Sequence, residues 1–393
     1  MILILRNSTK SIQLILNETV KYLPKDIMSI SNSAYSKARK KIAHTAFIAL
    51  NQLTVDVMYT EQYKTYCGKR ILAVDGSKIR LPDTPEMIKE FGSHPYRNTV
   101  VEGENAFALA SVLYDTQNNI ALEALLTPTD TSEKSLAIEH LKHVQENDLI
   151  IYDRGYGSYE LIARIQQTKG DFLIRLSTQS FKHAKEMFKS DGITDQIVTI
   201  KPGSKVRDKK RKGLLTDLPE SITVRFVRVE LGAGEIEVLV TSLFDQETFS
   251  PEVIKELYWK RWGVETFYGI LKTRLQLENF TGTSVESVKQ DFYAAIFLTG
   301  LETVMTQDVE RDLQQKEVEY IQKVNKAVAF NAIKEYAFDL LLNTRDPQET
   351  IVQLEKLFLT NPTLYRPERS FPRICVSPQK IVHYLKRKCK GVF

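Results

Sequence analysis

One stretch of the sequence, residues 250–282, carries an acid, two cations and a phenol at helical spacing. Tyr258, Arg261, Glu265 and Lys272 follow one another at intervals of three, four and seven residues. At about 100° per residue, a continuous helix places all four side chains within an arc of roughly 60°. A carboxylate held among cations suits a phosphate-ester site, since the acid can hold a metal ion and the cations can bind an anionic backbone. A solvated helix face is the alternative that this stretch alone leaves open.

The residues around these four predict one long helix. Its start is marked by an N-cap, a proline at the first helical position and an acid in the first turn, which are Ser250, Pro251 and Glu252. Helix-compatible residues then continue to about Gln276. Gly263 lies mid-helix at a cost of about 1 kcal/mol, and aromatic residues crowd the same turns, so the segment differs from a plain surface helix. The aromatic residues are Trp259, Trp262, Phe267 and Tyr268.

Two aspartates elsewhere in the chain each follow an apolar strand-like run. Asp75 comes after residues 71–74, and Asp153 comes after residues 149–152. For either one alone, a turn is the plainer explanation: a hairpin at Asp75 or a strand-to-helix cap at Asp153. Together with Glu265, however, two strand carboxylates and a third acid from a covering helix can hold two divalent metal ions about 4 Å apart. Oxygen-only ligands favour Mg²⁺ or Mn²⁺, so the combination indicates phosphoryl transfer on a nucleic-acid backbone.

The elements that must position these acids change in type along the chain. Apolar periodicity predicts three successive strands that form an antiparallel meander, then a helix, a short buried strand, another helix and a further strand added in parallel. The strands fall at residues 71–81, 105–115, 120–128, 148–152 and 171–177, and the helices at 131–147 and 158–170. A strand-rich insertion follows at 178–249, with a basic loop at 201–212, and residues 283–345 are again helical.

The first 68 residues are predicted to be helical. Apolar residues repeat there at spacings of three and four and define a buried face, and four basic residues lie towards the other side. The apolar set is Tyr35, Ala38, Ile42, Ala46, Ala49 and Leu53, and the basic set is Lys37, Lys40, Lys41 and His44. The basic face is either solvated or laid on DNA.

Composition restricts the class of protein. Lysine and arginine outnumber aspartate and glutamate by 54 to 49, a mild excess that permits a polyanionic partner. The three cysteines, Cys67, Cys375 and Cys389, have no paired spacing, so neither a disulfide framework nor a zinc site is expected. His140 and His143 are interpreted as surface residues. No apolar run has the length of a signal peptide or a bilayer span, so a cytoplasmic protein is expected.

The order of these features resembles the DDE transposases of bacterial insertion sequences, in the insertion-sequence-four type marked by a Tyr-x2-Arg-x3-Glu-x6-Lys motif. The resemblance covers about residues 30–345. It implies an α/β fold with a ribonuclease H-like, retroviral-integrase-like mixed five-stranded sheet, a strand-rich insertion and an N-terminal helical region. By the same resemblance, Asp75, Asp153 and Glu265 are the catalytic acids and bind a pair of Mg²⁺ or Mn²⁺ ions, and no nucleotide cofactor is needed.

The resemblance also implies partners and a reaction. Tyr258, Arg261 and Lys272 would contact DNA phosphates at the element's end, and Trp262 occupies a position that is aromatic in relatives. The expected reaction is cleavage at the terminal inverted repeats and strand transfer into target DNA, through a hairpin, by a homodimer associated with the nucleoid. No membrane partner is expected. The N-terminal part shows no clear helix-turn-helix, so the residues that read the repeats are not assigned.

Two basic segments are further candidates for phosphate contacts, with solvated segments as the alternative. The first supplies Lys205, Lys209, Lys210 and Arg211. The second is a C-terminal tail with Arg366, Arg369, Arg373, Lys386, Arg387, Lys388 and Lys390.

The predicted domains are an N-terminal helical DNA-binding region at 1–68, a catalytic core divided between 69–177 and 250–345, the insertion at 178–249 and the basic tail at 346–393. Two other functions stay open: a transposase-derived DNA-binding protein without catalysis, and a ribonuclease H-like nuclease without strand transfer. An enzyme of small phosphorylated metabolites is disfavoured, since the glycine-rich phosphate loop GxxxxGK[ST] is absent.

Overall fold

The structure of this chain is a computed structural model, and it describes residues 1–6, 11–23, 29–60, 63–97, 102–190, 192–230, 235–342 and 345–366. The helices are α1 (Ile2–Leu5), α2 (Ile12–Thr19), α3 (Asn32–Arg39), α4 (Thr45–Thr60), α5 (Pro85–Phe91), α6 (Glu133–Glu139), α7 (Tyr159–Gln166), α8 (Lys182–Lys189), α9 (Ser204–Arg211), α10 (Pro251–Trp259), α11 (Trp262–Gly269), α12 (Val285–Gln314), α13 (Lys326–Leu342) and α14 (Pro347–Thr360). The strands are β1 (Arg70–Arg80), β2 (Ser93–Arg97), β3 (Glu102–Asp115), β4 (Ile120–Pro128), β5 (Asp148–Tyr152), β6 (Asp171–Arg175), β7 (Asp195–Ile200), β8 (Ile222–Glu230), β9 (Ile236–Thr241), β10 (Gln322–Lys323) and β11 (Thr363–Leu364).

The main sheet is mixed, which confirms the predicted α/β class. Its order is β2-β3-β1-β5-β6-β9-β8-β7, with β4 also paired to β3. Strand β5 is parallel to both β1 and β6, whereas β9 is antiparallel to β6. The five predicted strands, β1, β3, β4, β5 and β6, are all present. The sheet has nine strands because β9 of the insertion pairs with β6 and carries β8 and β7 with it, and because β2 pairs with β3.

The chain divides into two compact units. One consists of Met1–Thr60, Ile79–Phe107 and Gly269–Phe393, and the other of Glu61–Lys78 and Ala108–Tyr268. These boundaries cut the sequence differently from the five predicted segments, whose functional division stays a prediction.

The second unit is built on strands that are apolar on both faces. All five residues of β5 are buried, as expected for a central strand with parallel neighbours. Residues of β1, β5 and β6 pack with β8, β9 and α10 in one core, which includes Ile71, Leu149, Ile151, Leu173, Val227, Leu239, Ile254 and Leu257. At the start of β5, Arg70 pairs with Asp148 through two hydrogen bonds of 2.7 Å, and both side chains are buried. The first residue of this strand is therefore fixed by an ion pair.

The helical N-terminal region differs in phase from the prediction. The chain leaves the helix after Arg39 and begins α4 at Thr45, so one continuous face does not form. Ala38 and Ala49 are exposed and Leu53 is 59% exposed, which makes their predicted burial wrong. Arg39 is buried instead, where it donates to Gln290 at 2.6 Å and pairs with Asp291 at 2.7 Å. The break shifts the helical register between α3 and α4. Arg39, which the apolar pattern assigned to neither face, can be buried because the ion pair balances its charge.

The predicted basic face of this region is accessible. Lys37, Lys40 and Lys41 are exposed, whereas His44 lies 2.9 Å from Glu286. Contact of this face with DNA stays a prediction.

The interpretation of His140 as a surface residue is wrong. Its ring is fully buried, with Nε2 3.0 Å from the Ser111 hydroxyl and Nδ1 2.7 Å from Glu123. Partners on β3 and β4 satisfy both ring nitrogens, which allows the residue to be buried. His143 keeps part of its surface exposed.

The predicted basic loop at 201–212 is also wrong, since helix α9 occupies most of it. In the C-terminal tail, Arg366 lies over the ring of Tyr320 at 5.0 Å, and the remaining basic residues of the tail fall outside the described residues. Cys67 is an exposed free thiol, and the other two cysteines also fall outside them. Within the described ranges, no helix combines the length and the apolar character needed to cross a bilayer.

Candidate functional site

Asp75 lies inside β1 rather than at its end. The strand continues to Arg80, so no hairpin turn forms at Asp75–Gly76. The carboxylate accepts a hydrogen bond of 2.9 Å from the N–H of Gly76, and the residue is partly exposed. Asp75 is thus a strand carboxylate that solvent can reach.

Asp153 stands at the carboxyl end of β5, directly before a 3-10 turn at Arg154–Tyr156. Strands β1 and β5 are parallel, and Ala73 is the register partner of Ile151. Two residues further along each strand come Asp75 and Asp153, so the two aspartates emerge at equivalent positions of neighbouring strands. This alignment brings the two predicted acids together.

Asp153 is held by two side chains. The guanidinium of Arg175, the last residue of β6, donates to the Asp153 Oδ1 from Nε at 2.9 Å and lies at 2.8 Å through Nη2. The hydroxyl of Tyr258 donates to the same oxygen at 3.2 Å. Burial alone would raise the pKa of Asp153, but the N–H of Arg154, the charges of Arg175 and Arg261 and the Tyr258 hydroxyl together hold that pKa below its usual value. Asp153 is therefore firmly ionised.

Arg175 was not predicted as a site residue, although the sequence contains a signal for it. Tyr152 pairs with Ile174 in parallel register, so the next residues of the two strands, Asp153 and Arg175, are neighbours. An acid and a base that each follow an apolar strand of similar length are candidates for such a pair, but only the strand order shows that the strands are adjacent.

The prediction of one long helix at 250–276 is wrong. Helix α10 ends at Trp259 and α11 begins at Trp262, and short hydrogen-bonded turns join them, such as Arg261 N–H to Tyr258 C=O at 3.1 Å. Position 263 requires glycine for a steric reason, because a Cβ there would lie 2.9 Å from the Cβ of Thr116. The helix approaches Thr116 too closely for any side chain. The arc calculated at about 100° per residue therefore does not carry across the break.

Arg261 is the electrostatic centre of the site. Its side chain is 4% exposed, and Nη2 lies 2.9 Å from Glu265 Oε1. The guanidinium also lies 5.6 Å from the ring of Tyr258 and 5.3 Å from the ring of Trp262. Its charge acts on Asp75 and Asp153 as well, and its buried Nε has no hydrogen-bond partner among the described residues. One cation thus serves all three predicted acids.

Glu265 occupies the first turn of α11, and its side chain is 34% exposed. The helix is tied to the sheet by Tyr268, whose hydroxyl donates to the carbonyls of Asp75 at 3.0 Å and Ala110 at 3.1 Å. The ring of Phe267 packs on Tyr114 of β3 at 4.5 Å. These contacts place the third predicted acid beside the strand that carries the first.

The pKa of Asp75 is raised to about 6, in contrast to that of Asp153. Burial is the main cause, and the negative charges of Glu265 and Glu133 add to it, against the Gly76 N–H and the Arg261 charge, which lower the pKa. Near neutral pH this carboxylate is ionised at a cost that a further cation would reduce.

The chemistry of the donor set fits a hard divalent cation, since the acids offer only oxygen and keep part of their surface open. Their arrangement is not a closed ligand set. Over the described part of the chain, no group of three or more His, Cys, Asp or Glu side chains stands close enough together to hold a metal ion. Asp153 and Glu265 are turned towards arginines instead.

The other predicted DNA-contacting residues are spread over the molecule. Trp262 stacks against Trp259 with centroids 6.5 Å apart, and Trp259 is 52% exposed. Lys272 belongs to the other compact unit, in a π-helical turn at Ile270–Arg274, where it is half-buried and burial lowers its pKa.

The four predicted contacts of the basic segment lie on or at the ends of α9. Lys205 is exposed. Lys209 pairs with Glu160 at 3.3 Å, Lys210 with Glu220, and Arg211 with Asp208. Only part of the segment's charge is thus available to a polyanion.

The sequence of this chain is similar to those of known transposases. The model of the transposase DDE domain matches residues 66–301. Transposase InsG for insertion sequence element IS4 of Escherichia coli (strain K12) is 24% identical over 282 residues, which cover 71% of this chain and 62% of that protein. The putative transposase InsZ of the same organism is 27% identical over 142 residues, 35% of this chain and 46% of its own length. The chain therefore spans less than two thirds of either relative.

The transposase for insertion sequence element IS231F of Bacillus thuringiensis subsp. israelensis is 21% identical over 362 residues, with coverage of 81% and 72%. Among solved structures, a cryo-EM structure of the piggyBac transposase synaptic complex with hairpin DNA aligns with a TM-score of 0.42 at 9% identity, over 80% of this chain and 63% of that one. That score is too low to argue from. The domain match covers more than half of the sequence, and on that basis the chain belongs to the DDE transposase family.

Proposed function

We propose that this protein is a DNA transposase that cleaves the ends of an insertion sequence and transfers the freed strands into target DNA. The observation that carries the proposal is the register of β1 and β5, which puts Asp75 and Asp153 at equivalent positions of neighbouring strands. Helix α11 adds Glu265 beside them through the Tyr268 hydrogen bonds. Strands β1, β3, β4, β5 and β6 then form a ribonuclease H-like core, and the three acids are its catalytic residues.

Two divalent cations, Mg²⁺ or Mn²⁺, supply Lewis-acid polarisation of the scissile phosphate and activation of the attacking hydroxyl when they are bound. Asp75, Asp153 and Glu265 are the residues that hold them. The oxygen-only donor set and the raised pKa of Asp75, which burial and neighbouring acids cause, both support a cation site.

The protein's own residues orient the acids and bind the DNA. Arg175 and Tyr258 fix one oxygen of Asp153 and keep the carboxylate ionised. Arg261 holds Glu265, and its positive charge is proposed to attract a DNA phosphate to the site. Trp262 buttresses that guanidinium. Lys272, Lys205 and the α9 cations Lys209, Lys210 and Arg211 are proposed to contact the backbone and to give salt-dependent affinity.

The partners follow from the family. The substrate is double-stranded DNA that carries the element's terminal inverted repeats, and target DNA is the second partner. The cut-and-paste route through a hairpin and assembly as a homodimer on DNA are part of the proposal and rest on the resemblance.

The test is a reaction of the purified protein with linear DNA that carries the element's own ends, with Mg²⁺ or with EDTA. Metal-dependent cuts at the ends and joined products are expected, and Glu265→Ala should show neither while it still binds the ends. Binding without cleavage by the wild type contradicts the proposal in favour of a DNA-binding protein. Cleavage without joining contradicts strand transfer and favours a nuclease.

A further inference from the structure

The guanidinium of Arg175 lies between two carboxylates. Its Nε donates to Asp153 Oδ1 at 2.9 Å and its Nη2 lies 2.8 Å from the same oxygen, whereas its Nη1 donates to Glu237 Oε1 at 2.5 Å. A guanidinium is planar and rigid, so contacts on two of its edges fix its orientation as well as its position. Glu237 therefore helps to determine how Arg175 meets Asp153.

Glu237 is brought to Arg175 by the pairing of two strands. It belongs to β9, and in the antiparallel register with β6 the residue opposite Arg175 is Leu239. The N–H of Leu176 donates to the carbonyl of Val238 at 2.9 Å, so the pairing continues past Arg175 towards Glu237. Residues two apart on a strand share a face of the sheet, and a long side chain can reach its diagonal neighbour. The backbone thus places Glu237 on the face of Arg175 independently of the ion pair.

Glu237 is the more buried of the two carboxylates. Its side chain is 13% exposed, compared with 33% for that of Asp153. A carboxylate withdrawn from water needs a charged or hydrogen-bonding partner, and Arg175 is such a partner for both acids. Since β9 belongs to the strand-rich insertion, a residue of the insertion contacts the arginine that holds an acid of the proposed site.

We propose that Glu237 is a positioning residue for the transposase reaction, which orients Arg175 through the hydrogen bond to Nη1 and thereby orients the carboxylate of Asp153. The inference rests on the proposed function, since Asp153 is one of its catalytic acids. The structural alternative is an ion pair that ties β9 to β6. Such a pair would stabilise the fold without affecting the catalytic step, so kinetics separate the two roles.

Glu237→Ala is expected to lower kcat for cleavage at the element's ends about 10-fold with saturating Mg²⁺. KM for the DNA should stay unchanged, because the substitution removes no contact with DNA. Glu237→Gln should keep most of the activity, since its amide oxygen can accept the same hydrogen bond from Nη1. The rates are measured well below the melting temperature of each variant, so that a loss of stability does not lower the amount of folded protein.

A double substitution tests the route through the arginine. In the Arg175→Gln background, Glu237→Ala should lower kcat by less than about 2-fold, because the group that it orients is already gone. Asp171→Ala is the matched control. Asp171 begins the same strand, β6, and pairs with Lys69 at 2.7 Å, so this variant loses an ion pair at the other end of the strand and should keep its kcat.

Nuclear magnetic resonance tests the orientation of Arg175 without DNA or metal. The Nε–H signal of Arg175 is identified by its loss in Arg175→Gln, and its exchange with water reports how well this group is held against Asp153. Glu237→Ala is expected to speed the exchange several-fold. Glu237→Gln and Asp171→Ala should leave it at the wild-type rate.

The outcomes distinguish this inference from the proposed function. A wild type that neither cuts nor joins DNA contradicts the proposed function, whereas faster exchange in Glu237→Ala still supports the orientation of Arg175 by Glu237. Unchanged exchange in Glu237→Ala overturns the inference, whatever the wild type does with DNA. A wild-type kcat in Glu237→Ala, or a full 10-fold loss in the Arg175→Gln background, overturns it as well.

Discussion

The two aspartates occupy equivalent register positions, yet their surroundings are opposite. The charge of Arg175 and hydrogen bonds from Tyr258 and a backbone N–H stabilise the ionised form of Asp153. They lower its pKa, although burial alone would raise it. Burial, with the negative charges of Glu265 and Glu133, raises the pKa of Asp75 to about 6. One carboxylate is stabilised by the folded chain and the other is destabilised by it. The comparison shows that two neighbouring strands can hold one acid that the folded chain stabilises as its anion and another that it destabilises.

The largest effect should come from removing each acid in turn. Asp153→Asn and Asp75→Asn are each expected to lower DNA cleavage at least about 1,000-fold. Their effects on stability without metal should have opposite signs. Asp153→Asn should cost about 1–2 kcal/mol, less than a fully buried pair, because a third of the side chain is exposed. Asp75→Asn should stabilise the protein. Urea unfolding at pH 8 measures both, and equal signs would contradict the contrast.

Arg175→Gln should make Asp153 resemble Asp75. Without the guanidinium, the pKa of Asp153 rises, so the acid limb of the cleavage–pH profile should move to higher pH and the rate at pH 7 should fall about 10- to 100-fold. The profile is measured with saturating Mg²⁺. Arg164→Gln is the control, since it removes another arginine–carboxylate pair, with the half-exposed Asp217, and should leave the profile in place.

Gly263→Ala should disturb the position of α11, the helix that carries Glu265. The methyl group meets Thr116, so α11 must shift, and unfolding free energy should fall by about 1–2 kcal/mol although alanine favours helices. Gly269→Ala is the matched variant in the same helix: its Cβ meets nothing within 4 Å, and stability should stay equal or rise slightly. Chemical denaturation of the pair measures the difference, and equal stabilities would mean that the contact with Thr116 is unimportant.

The smallest effect concerns pH. A carboxyl group whose folded pKa is raised favours the folded state at low pH and loses that contribution as pH rises through the folded value, here about 6. The stabilisation by Asp75→Asn, relative to wild type and without metal, should therefore increase between pH 5 and pH 8, by about 1 kcal/mol after screening by solvent. The charges of Glu265, Glu133 and Arg261 act on Asp75 and set this window. A difference that stays constant across this range would contradict the raised pKa.

Much of this arrangement could be predicted from the sequence. Alternation and apolar runs located β1 and β5, and the position of an acid after each run identified Asp75 and Asp153. The spacing of the motif predicted that Glu265 lies among cations, and Arg261 is indeed 2.9 Å from it. These features are local, and local patterns determine them.

The rest depends on contacts between distant segments. Arg175 became visible only when the order of β5 and β6 was known. The need for glycine at position 263 follows from the proximity of Thr116, which lies far away in the sequence. The insertion strands had the right pattern, but only pairing with β6 shows that they extend the main sheet.

An aspartate lies at each end of strand β5, and each one forms an ion pair with an arginine of a neighbouring strand. Asp148 pairs with Arg70 of β1, and Asp153 pairs with Arg175 of β6. A slip of β5 by one residue would break both ion pairs and turn Asp153 to the opposite face of the sheet. The two ion pairs thus fix the register of a strand of five residues from both ends. They link the position of Asp153 in the proposed site to the register of the strand. A chain that folds with β5 in the wrong register would therefore also remove this acid from the proposed site.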